Sequence, residues 1–464
     1  MTSGLKISFS ELTGAVGGRV LFDSGIESFD TVLTDSRKAD PAYRNIFIPV
    51  IGEKFDAHDF IEDLCRNSAI SVFLTSRESD AEIAKKYGIS AVFTANTLYA
   101  LGSIAAWYRN KFTPHCIGIT GTNGKTTTKE LISCIFSSVY NTHRNEKNYN
   151  NEIGVPFALF TLNSGHEYSV IEMGMNHPGE IERLSRMVRP EFSLITNAGE
   201  GHLEFLKTVE NVALAKSEIF SGMGNGGTVL LNTDNEFFGL MKKEAEQRGL
   251  KVLSFGVRNG ADFKPSLYDL AENEVSMYLN EFEYSVKLYG FHNLYNLLAA
   301  VSVSLFYGIK PESISNALAG FKNADNRSQI ISNDFIIIND TYNSNPLSLE
   351  SALVSISHIY NSRRKIAVLS DMKELGDESY NYHLAAGRQV FDNNFSILYT
   401  WGDGAAAISK GAVLAGMNEN CVKHFTSRQD LINEVKRVLN KDDVVLVKGS
   451  RSMKMEEVTD SLVR

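Results

Sequence analysis

Residues 115–126 read HCIGITGTNGKT, and a helical pattern, KTTTKELISCIFSSVY, continues from Lys125 to residue 140. This order of apolar strand, glycine-containing loop and helix predicts a phosphate-binding loop (P-loop). The glycines let backbone N–H groups close around phosphate oxygens at the helix N-terminus. A lysine at this place reaches the phosphates, and the next hydroxyl reaches Mg²⁺. We therefore predict that ATP is bound by Gly121, Thr122, Asn123, Gly124, Lys125, Thr126 and Thr127, with Thr126 also at the metal.

The alternation of apolar strands and helices continues on both sides of this loop. Downstream, helical patterns separate the runs SVIEMG, FSLITN, TVLLNT and KVLSF, which predicts a mostly parallel sheet covered on both faces. A proline break at 111–114 and a polar stretch at 320–328 divide the chain. We predict an α/β protein of three domains: 1–112, a central P-loop ATPase domain with a parallel sheet at 113–322, and a C-terminal Rossmann-like domain at 323–464.

Composition excludes several classes of protein. The chain has 464 residues, 43% of them hydrophobic, and a net charge of −9, which argues against a basic nucleic-acid-binding surface. The four cysteines are scattered without a C-x-x-C pair, as expected for free thiols in a reducing compartment. The N-terminus lacks a secretory pattern, and the most apolar stretch, 297–309, is too short to span a bilayer. We predict a cytoplasmic protein with no membrane or nucleic-acid partner.

Polar residues at the ends of predicted strands are further candidates. Glu172 ends the strand after the P-loop helix, where a carboxylate suits a Mg²⁺ ligand, although a solvated acid would look the same. Asp340 ends a later strand and opens the loop DTYNSNP, a ligand-binding arrangement at the edge of a sheet. Asn293 and Asn296 share one face of the helix predicted from residue 291, where asparagine also serves as a cap. His202 and Lys216 carry no signal from their position alone.

Several of these strings resemble those of one family. TGTNGKT (120–126) has the form found in the Mur ligases, the ATP-dependent amide ligases of peptidoglycan synthesis, and in their relatives that add glutamate to folates. The P-loop of that family also lacks the glycine that a general P-loop would have at Ile119. NYNNEIGVP (148–156) and DTYNSNP (340–346) are similar to the strings of the family member that attaches D-alanyl-D-alanine, with Ser344 in place of the usual alanine.

The resemblance implies roles for residues at the nucleotide and metal. It implies that Glu172 and His202 hold Mg²⁺, with two ions in all, and that Lys216, in the string AKSE, is carbamylated and helps to hold the metal. Lys125, His202 and Lys216 are accordingly the predicted catalytic residues. It also places Asn293 and Asn296 at the adenine end of ATP. Asp340 and Arg327 are implied to contact the nucleotide, although Asn326 replaces the glycine that normally precedes this arginine.

The resemblance also implies the substrates and their sites. Ser36 and Arg37, in the string TDSR, would bind the UDP-muramoyl end of a UDP-N-acetylmuramoyl-tripeptide, and Asn151 would lie near that substrate. D-alanyl-D-alanine would bind in the third domain, at Tyr342, Asn343, Asn345, Lys448 and Ser450.

The implied reaction is ATP-dependent addition of D-alanyl-D-alanine to the tripeptide through an acyl phosphate, by a monomeric enzyme. Two sister enzymes compete with this prediction: a tripeptide-forming Mur ligase, whose D-N-P-R string we do not find, and folylpolyglutamate synthase. A P-loop regulatory ATPase is an alternative of another class. The sequence leaves open whether the third residue of the tripeptide is diaminopimelate or lysine.

Overall fold

The computed structural model of the chain describes residues 5–52, 54–146, 149–322, 329–332 and 334–463. Arg327, predicted at the nucleotide, lies outside the described residues, as does residue 323, the first of the predicted C-terminal domain. The α-helices are α1 Phe9–Val16, α2 Ile61–Arg66, α3 Ala81–Tyr87, α4 Thr97–Arg109, α5 Lys125–Ser137, α6 Gly154–Leu159, α7 Glu180–Val188, α8 Leu203–Leu206, α9 Val209–Ser217, α10 Phe238–Gln247, α11 Phe291–Phe306, α12 Pro311–Ala319, α13 Pro346–Ile359, α14 Ser379–Asp392, α15 Ala405–Ala415, α16 Arg428–Val438 and α17 Glu456–Val463.

The β-strands are β1 Ile7–Ser8, β2 Arg19–Phe22, β3 Ser28–Phe29, β4 Thr31–Leu33, β5 Asn45–Phe47, β6 Val72–Thr75, β7 Ser90–Phe93, β8 His115–Thr120, β9 Thr142–Arg144, β10 Tyr168–Glu172, β11 Phe192–Ile195, β12 Thr228–Asn232, β13 Lys251–Phe255, β14 Leu267–Ala271, β15 Glu274–Leu279, β16 Phe282–Val286, β17 Gln329–Ser332, β18 Ile336–Asp340, β19 Lys365–Ser370, β20 Ile397–Trp401, β21 Val422–Phe425 and β22 Val444–Lys448.

The first part of the chain forms a five-stranded sheet in the order β2-β7-β6-β5-β4. Its strands run parallel except β2, which is antiparallel to β7. Helices α2 and α3 cover one face, where Phe47, Ile61, Leu64, Phe73 and Ala84 are buried together. This arrangement follows from the short apolar strands and intervening helices of the sequence.

The central sheet has the order β13-β12-β11-β8-β10-β9 and is parallel throughout. Every residue of β10, β11 and β12 is buried, as expected of strands covered on both faces. The P-loop strand β8 lies inside the sheet between β10 and β11. Glu172 at the end of β10 is in register with Ile119 near the end of β8, so the strand-end carboxylate and the P-loop leave the same edge.

The third sheet has the order β17-β18-β22-β19-β20-β21, parallel except at the edge strand β17. The last strand of the chain, β22, is inserted between β18 and β19, which places Lys448 in register with Asp340. The loops after these three strands therefore meet at one edge, which is where doubly wound sheets bind ligands.

A small antiparallel sheet, β14-β15-β16, precedes α11. The three larger sheets, each combined with helices, confirm the predicted α/β class. The domain boundaries at 112/113 and 322/323 stay predictions. Among the described residues, none of the helices combines the length and the hydropathy that a membrane span requires.

Candidate active site

A cavity of about 970 Å³ lies between the carboxyl ends of the central and third sheets. The predicted site residues that line it are Thr122, Asn123, Gly124, Lys125, Thr126, Thr127, Asn151, Glu172, His202, Asn293, Asn296, Asp340, Tyr342, Asn343, Asn345, Lys448 and Ser450. Residues predicted at the nucleotide, at the metal and at D-alanyl-D-alanine thus share one space. Four described residues that were predicted at the site do not line it: Gly121, Lys216, Ser36 and Arg37.

The P-loop depends on two glycines with positive φ. Gly121 has φ +153°, and a Cβ there would lie 1.9 Å from Thr196 Oγ1. Gly124 has φ +81°, and a Cβ there would lie 2.3 Å from Asn296 Oδ1. A side chain at either position would displace a polar neighbour, and at Gly124 it would also hold the backbone in a left-handed conformation that only glycine adopts readily.

Two residues at the end of β11 hold the P-loop in place. Asn197 accepts a hydrogen bond from the Asn123 N–H at 2.9 Å and donates one to the Asn123 carbonyl at 3.1 Å. Thr196 Oγ1 donates to the same carbonyl at 2.6 Å. The sequence analysis did not identify either residue. Both end the predicted strand FSLITN, but the sequence does not show that this strand pairs with β8. Lys125 Nζ folds back and donates to the carbonyls of Gly121 and Thr122, at 2.7 and 3.0 Å.

Glu172 is a buried carboxylate beside the P-loop helix. It is 1% exposed and accepts hydrogen bonds from Thr126 Oγ1 at 2.8 Å and from Asn150 Nδ2 at 2.7 Å. Both donors are neutral, and no cation of the described chain lies within ion-pair distance of this carboxylate. A buried anion without a cation is costly, which makes Glu172 suited to binding one. Asn150 was missed because an asparagine-rich run indicates only a turn.

The donor set around Glu172 fits Mg²⁺. Among the described residues there is no group of three His, Cys, Asp or Glu side chains that could hold a metal ion. Mg²⁺ needs no such cage, because it is commonly bound through one or two carboxylates together with phosphate oxygens and water. The Thr126 hydroxyl and the Glu172 carboxylate, 2.8 Å apart and open to the same cavity, provide that kind of site.

His202 faces the third sheet. Its φ of +57° is unusual for a residue with a side chain, and Glu374, whose φ is +65°, lies opposite. His202 Nδ1 is 2.8 Å from Glu374 Oε2, but the carboxylate is off the direction needed for an aligned hydrogen bond. Burial lowers the pKa of His202, and Glu374 opposes that change. Strained backbone on both sides of a cavity is typical of functional sites. Sequence reasoning missed the role of Glu374 in this contact.

Lys216 is buried beneath the site, on α9. It is 1% exposed, and it makes no side-chain hydrogen bond or ion pair with the part of the chain that the structure describes. Burial and, secondly, the charge of Lys125 place the pKa of Lys216 well below its usual range. A neutral amine is the nucleophilic form of lysine, so the environment of Lys216 fits the reactive lysine that the sequence led us to expect.

The start of α11 supplies a polar wall of the cavity. Asn296 donates to Asn293 Oδ1 at 2.8 Å, and Asn293 donates to the Tyr289 carbonyl at 2.7 Å. Thr128 of the P-loop helix donates to Asn296 Oδ1 at 3.2 Å, which ties α11 to α5. Asp234, which sequence reasoning missed, lines the same end and accepts from three backbone N–H groups and from the Tyr295 hydroxyl.

The third sheet contributes an ion pair to the opposite wall. Lys448 Nζ donates to Asp340 Oδ2 at 2.5 Å and to the Asn343 carbonyl at 2.9 Å. The Lys448 side chain is 2% exposed and that of Asp340 is 16% exposed, and the pair holds the loop after β18 against β22. Ser450 accepts a hydrogen bond from the Lys373 N–H at 2.8 Å, which joins the loop after β22 to the loop after β19.

Two asparagines join the P-loop to the third sheet. Asn123 Nδ2 donates to Asn345 Oδ1 at 3.1 Å, and Asn345 Nδ2 donates back to Asn123 Oδ1 at 2.9 Å. Asn345 also caps α13 by accepting from the Ser348 N–H at 2.8 Å. Both residues were predicted to contact ligands. In the structure they line the cavity and contact each other.

Ser36 and Arg37 lie apart from the cavity, on the first unit. The Arg37 guanidinium is exposed and donates twice to Asp35, at 2.9 Å each. This contact lowers the pKa of Asp35 to about 2. The structure does not bring these two residues to the P-loop, so any role for them concerns a part of a substrate distant from the phosphates.

The fold and the site define a nucleotide-binding α/β protein whose P-loop faces a second α/β unit. Comparison with known proteins identifies the group to which it belongs. Residues 119–304 match the Mur ligase middle domain, and residues 326–451 match the Mur ligase, glutamate ligase domain. The UDP-N-acetylmuramoyl-tripeptide–D-alanyl-D-alanine ligase of Bacillus subtilis (strain 168) is 33% identical over 438 residues, which cover 93% of each chain.

Solved structures agree with this match. MurF from Acinetobacter baumannii superposes with a TM-score of 0.87 at 29% identity and covers 99% of both chains. The MurF ligase from Thermotoga maritima in complex with ADP has the same fold, with a TM-score of 0.80 at 24% identity, over 93% of this chain and 96% of that one. The chain belongs to the Mur ligase family.

Proposed function

We propose that this chain joins D-alanyl-D-alanine to a UDP-N-acetylmuramoyl-tripeptide in peptidoglycan precursor synthesis, with cleavage of ATP to ADP and phosphate. One observation carries the proposal: a P-loop and the loop DTYNSNP, from different sheets, face each other across one cavity. A nucleotide held by the first loop and an amine held by the second can then react with a single carboxylate between them. The full-length similarity to ligases named for this reaction supports the assignment.

The reaction has two chemical steps. A terminal carboxylate oxygen of the tripeptide attacks the γ-phosphorus of ATP, the bond to the β-phosphate oxygen breaks, and ADP departs from the resulting acyl phosphate. The amine of D-alanyl-D-alanine then attacks the acyl carbon, loses a proton, and phosphate leaves as the amide forms. Neither step needs a side-chain nucleophile, so the protein acts by positioning and by neutralising charge.

Lys125 and the P-loop N–H groups neutralise and orient the phosphates. Thr126 and Glu172 hold Mg²⁺, which when bound offsets the charge of the phosphate oxygens. His202 is the residue for a second ion. Asn293 and Asn296 form the wall for the adenine end, and Asp340 holds the nucleotide from the third sheet.

The remaining sites follow the walls of the cavity. Tyr342, Asn343, Asn345, Lys448 and Ser450 take D-alanyl-D-alanine. Asn151 lies on the path of the tripeptide. Ser36 and Arg37 take the distant UDP-muramoyl end. The three units act as the domains 1–112, 113–322 and 323–464 of a cytoplasmic monomer.

Lys216 carries a carbamate in this proposal. Its neutral amine attacks CO₂, loses a proton and becomes an anion, which suits a position among cations. The burial of Lys216 without an acidic partner among the described residues supports this, because an ordinary ammonium would be poorly solvated there.

The test is the substrate dependence of ADP release by the purified protein with ATP and Mg²⁺. We expect release to require both the UDP-linked tripeptide and D-alanyl-D-alanine, and the variant Lys125→Ala to be folded and inactive. Release without the dipeptide would instead identify a regulatory ATPase. Release with a folate and glutamate, or with a single amino acid in place of the dipeptide, would identify a sister ligase.

A further inference from the structure

A second fully buried lysine lies next to the P-loop. Lys129 is on α5, one turn after Thr126, and its side chain is 0% exposed. Lysine is rarely buried completely unless it is paired, because the ammonium loses its hydration. The two lysines buried most completely in the described chain are Lys129 and Lys216. The chemistry proposed above uses Lys216 and gives Lys129 no role.

Two described groups contact the ammonium of Lys129. Nζ donates to the main-chain carbonyl of Asn145 at 2.7 Å and lies 3.0 Å from Glu130 Oε1. Glu130 is in turn paired with Arg144, the residue before Asn145, at 2.5 Å. The contacts of Lys129 with Asn145 and of Glu130 with Arg144 hold these two residues, at the end of β9, against the P-loop helix.

Asn145 also contacts β10, the strand that ends in Glu172. Its side chain is fully buried, accepts a hydrogen bond from the Glu172 N–H at 2.9 Å and donates to the Glu172 carbonyl at 3.0 Å. The second N–H of the same amide donates to the Tyr149 carbonyl at 2.8 Å. One side chain therefore binds both the end of β10 and Tyr149. The next residue, Asn150, donates to the Glu172 carboxylate.

We infer that Lys129 and Asn145 are positioning residues that fix Glu172 in the geometry that binds Mg²⁺. The inference rests on the proposed role of Glu172 as the Mg²⁺ ligand. Neither residue lines the cavity, so each acts through the backbone of β10 and the loop after β9. Losing the contact from Lys129 frees the Asn145 carbonyl, so the hydrogen bonds between the Asn145 side chain and the Glu172 backbone can shift. The residues of the P-loop itself are unchanged.

The experiment compares Lys129→Met with Lys365→Met in the full chain. Lys365 is also buried, at 4% exposed, but it starts β19 and donates only weakly, to the Arg363 carbonyl at 3.4 Å, away from the cavity. Binding of fluorescent N-methylanthraniloyl-ADP is measured in EDTA and across a Mg²⁺ titration, and the Mg²⁺ dependence of turnover is measured alongside it.

We expect Lys129→Met to raise the Mg²⁺ concentration for half-saturation about tenfold or more, the usual effect of removing a residue that orients a metal ligand. Affinity for the nucleotide in EDTA should stay within about twofold, and saturating Mg²⁺ should restore most turnover. Asn145→Ala should raise the Mg²⁺ concentration for half-saturation by the same factor. The double variant should add little to this effect, because both changes weaken the same hydrogen bonds to Glu172. Lys365→Met should leave the Mg²⁺ dependence unchanged.

A folded Lys129→Met with the wild-type Mg²⁺ dependence would overturn the inference, and so would an equal loss of nucleotide affinity with and without Mg²⁺. If Lys129→Met does not fold, Lys129→Gln is judged by the same criteria. Failure of the proposed function would look different, because the wild-type protein would then release no ADP in response to the two substrates.

Discussion

Replacing Gly124 by alanine tests whether the P-loop and α11 form one nucleotide site. Gly124 has φ +81°, and the added Cβ would lie 2.3 Å from Asn296 Oδ1, where ordinary contact begins at 3.4 Å. Asn296 must therefore move by about 1 Å. It is 4% exposed and bonded to Asn293 and Thr128, so it has little room to do so.

The expected cost has two parts. The left-handed backbone costs an alanine about 1–2 kcal/mol. Displacing Asn296 weakens two buried hydrogen bonds, at about 1 kcal/mol each. Gly308 supplies the matched control, because its φ is +74° and a Cβ there meets nothing within 4 Å. We expect Gly308→Ala to carry only the backbone part, so the two variants should differ by about 2 kcal/mol in free energy of unfolding.

Both glycines border helices of the central sheet, so denaturant unfolding followed by a probe in that unit compares them directly. The KM for ATP should rise about tenfold or more in Gly124→Ala, since a shift of about 1 Å in a positioning group can cost that much. It should be unchanged in Gly308→Ala. Equal stability of the two variants, with a wild-type KM for ATP in Gly124→Ala, would refute the argument.

Three further changes test other parts of the structure. Lys216→Arg should be inactive and Lys216→Ala should regain some activity with a short-chain carboxylic acid, whereas an active Lys216→Arg would exclude the carbamate. Asn345→Asp keeps the cap on α13 but loses the hydrogen bond to Asn123 Oδ1, which is worth about 1 kcal/mol. Because this bond joins the P-loop to the unit of the third sheet, small-angle scattering should show a more extended chain. An unchanged scattering profile would count against the contact. Burial lowers the pKa of His143 to about 4, so the unfolded chain binds a proton there between pH 6.5 and 4 that the folded chain does not. The free energy of unfolding should therefore decrease by up to about 3 kcal/mol as the pH is lowered from 6.5 to 4. In His143→Gln this decrease, measured by urea titration at several pH values, should be smaller.

Local sequence signals were enough for the elements that carry the P-loop. The apolar run ending at Thr120, the glycines and the helical pattern from Lys125 all lie within about thirty residues, so strand, loop and helix could be predicted from neighbours alone. The helix ends at Ser137, three residues before the end of the predicted pattern, because a tighter turn closes it. Glu172 was found in the same way, as the acid that ends the next long strand.

Contacts between distant segments could not be predicted in this way. Asn197 binds the P-loop because β11 is the neighbour of β8, and strand order is not written in the spacing of apolar residues. Asn123 and Asn345 are 222 residues apart, and their contact depends on how two sheets face each other. Asp234 reaches the cavity from the loop after β12, and it looks like any acid that ends a strand. In each case the residue type is ordinary and the tertiary position makes the difference.

The charges around the cavity explain why Glu172 differs from the other acids there. Asp340 is paired with Lys448, Glu374 faces His202, and Asp234 accepts three backbone N–H groups and a hydroxyl. Glu172 is buried as deeply as any of them, yet its hydrogen-bond donors are a hydroxyl and an amide, both neutral. A polyphosphate entering beside it would bring negative charge to a carboxylate that no described cation offsets, which is unfavourable at such depth. We therefore expect nucleotide binding at this P-loop to be coupled to a divalent cation through Glu172. Removing that carboxylate should weaken binding of the Mg²⁺ complex of the nucleotide more than binding of the free nucleotide, as measured by nucleotide titration with Mg²⁺ and in EDTA.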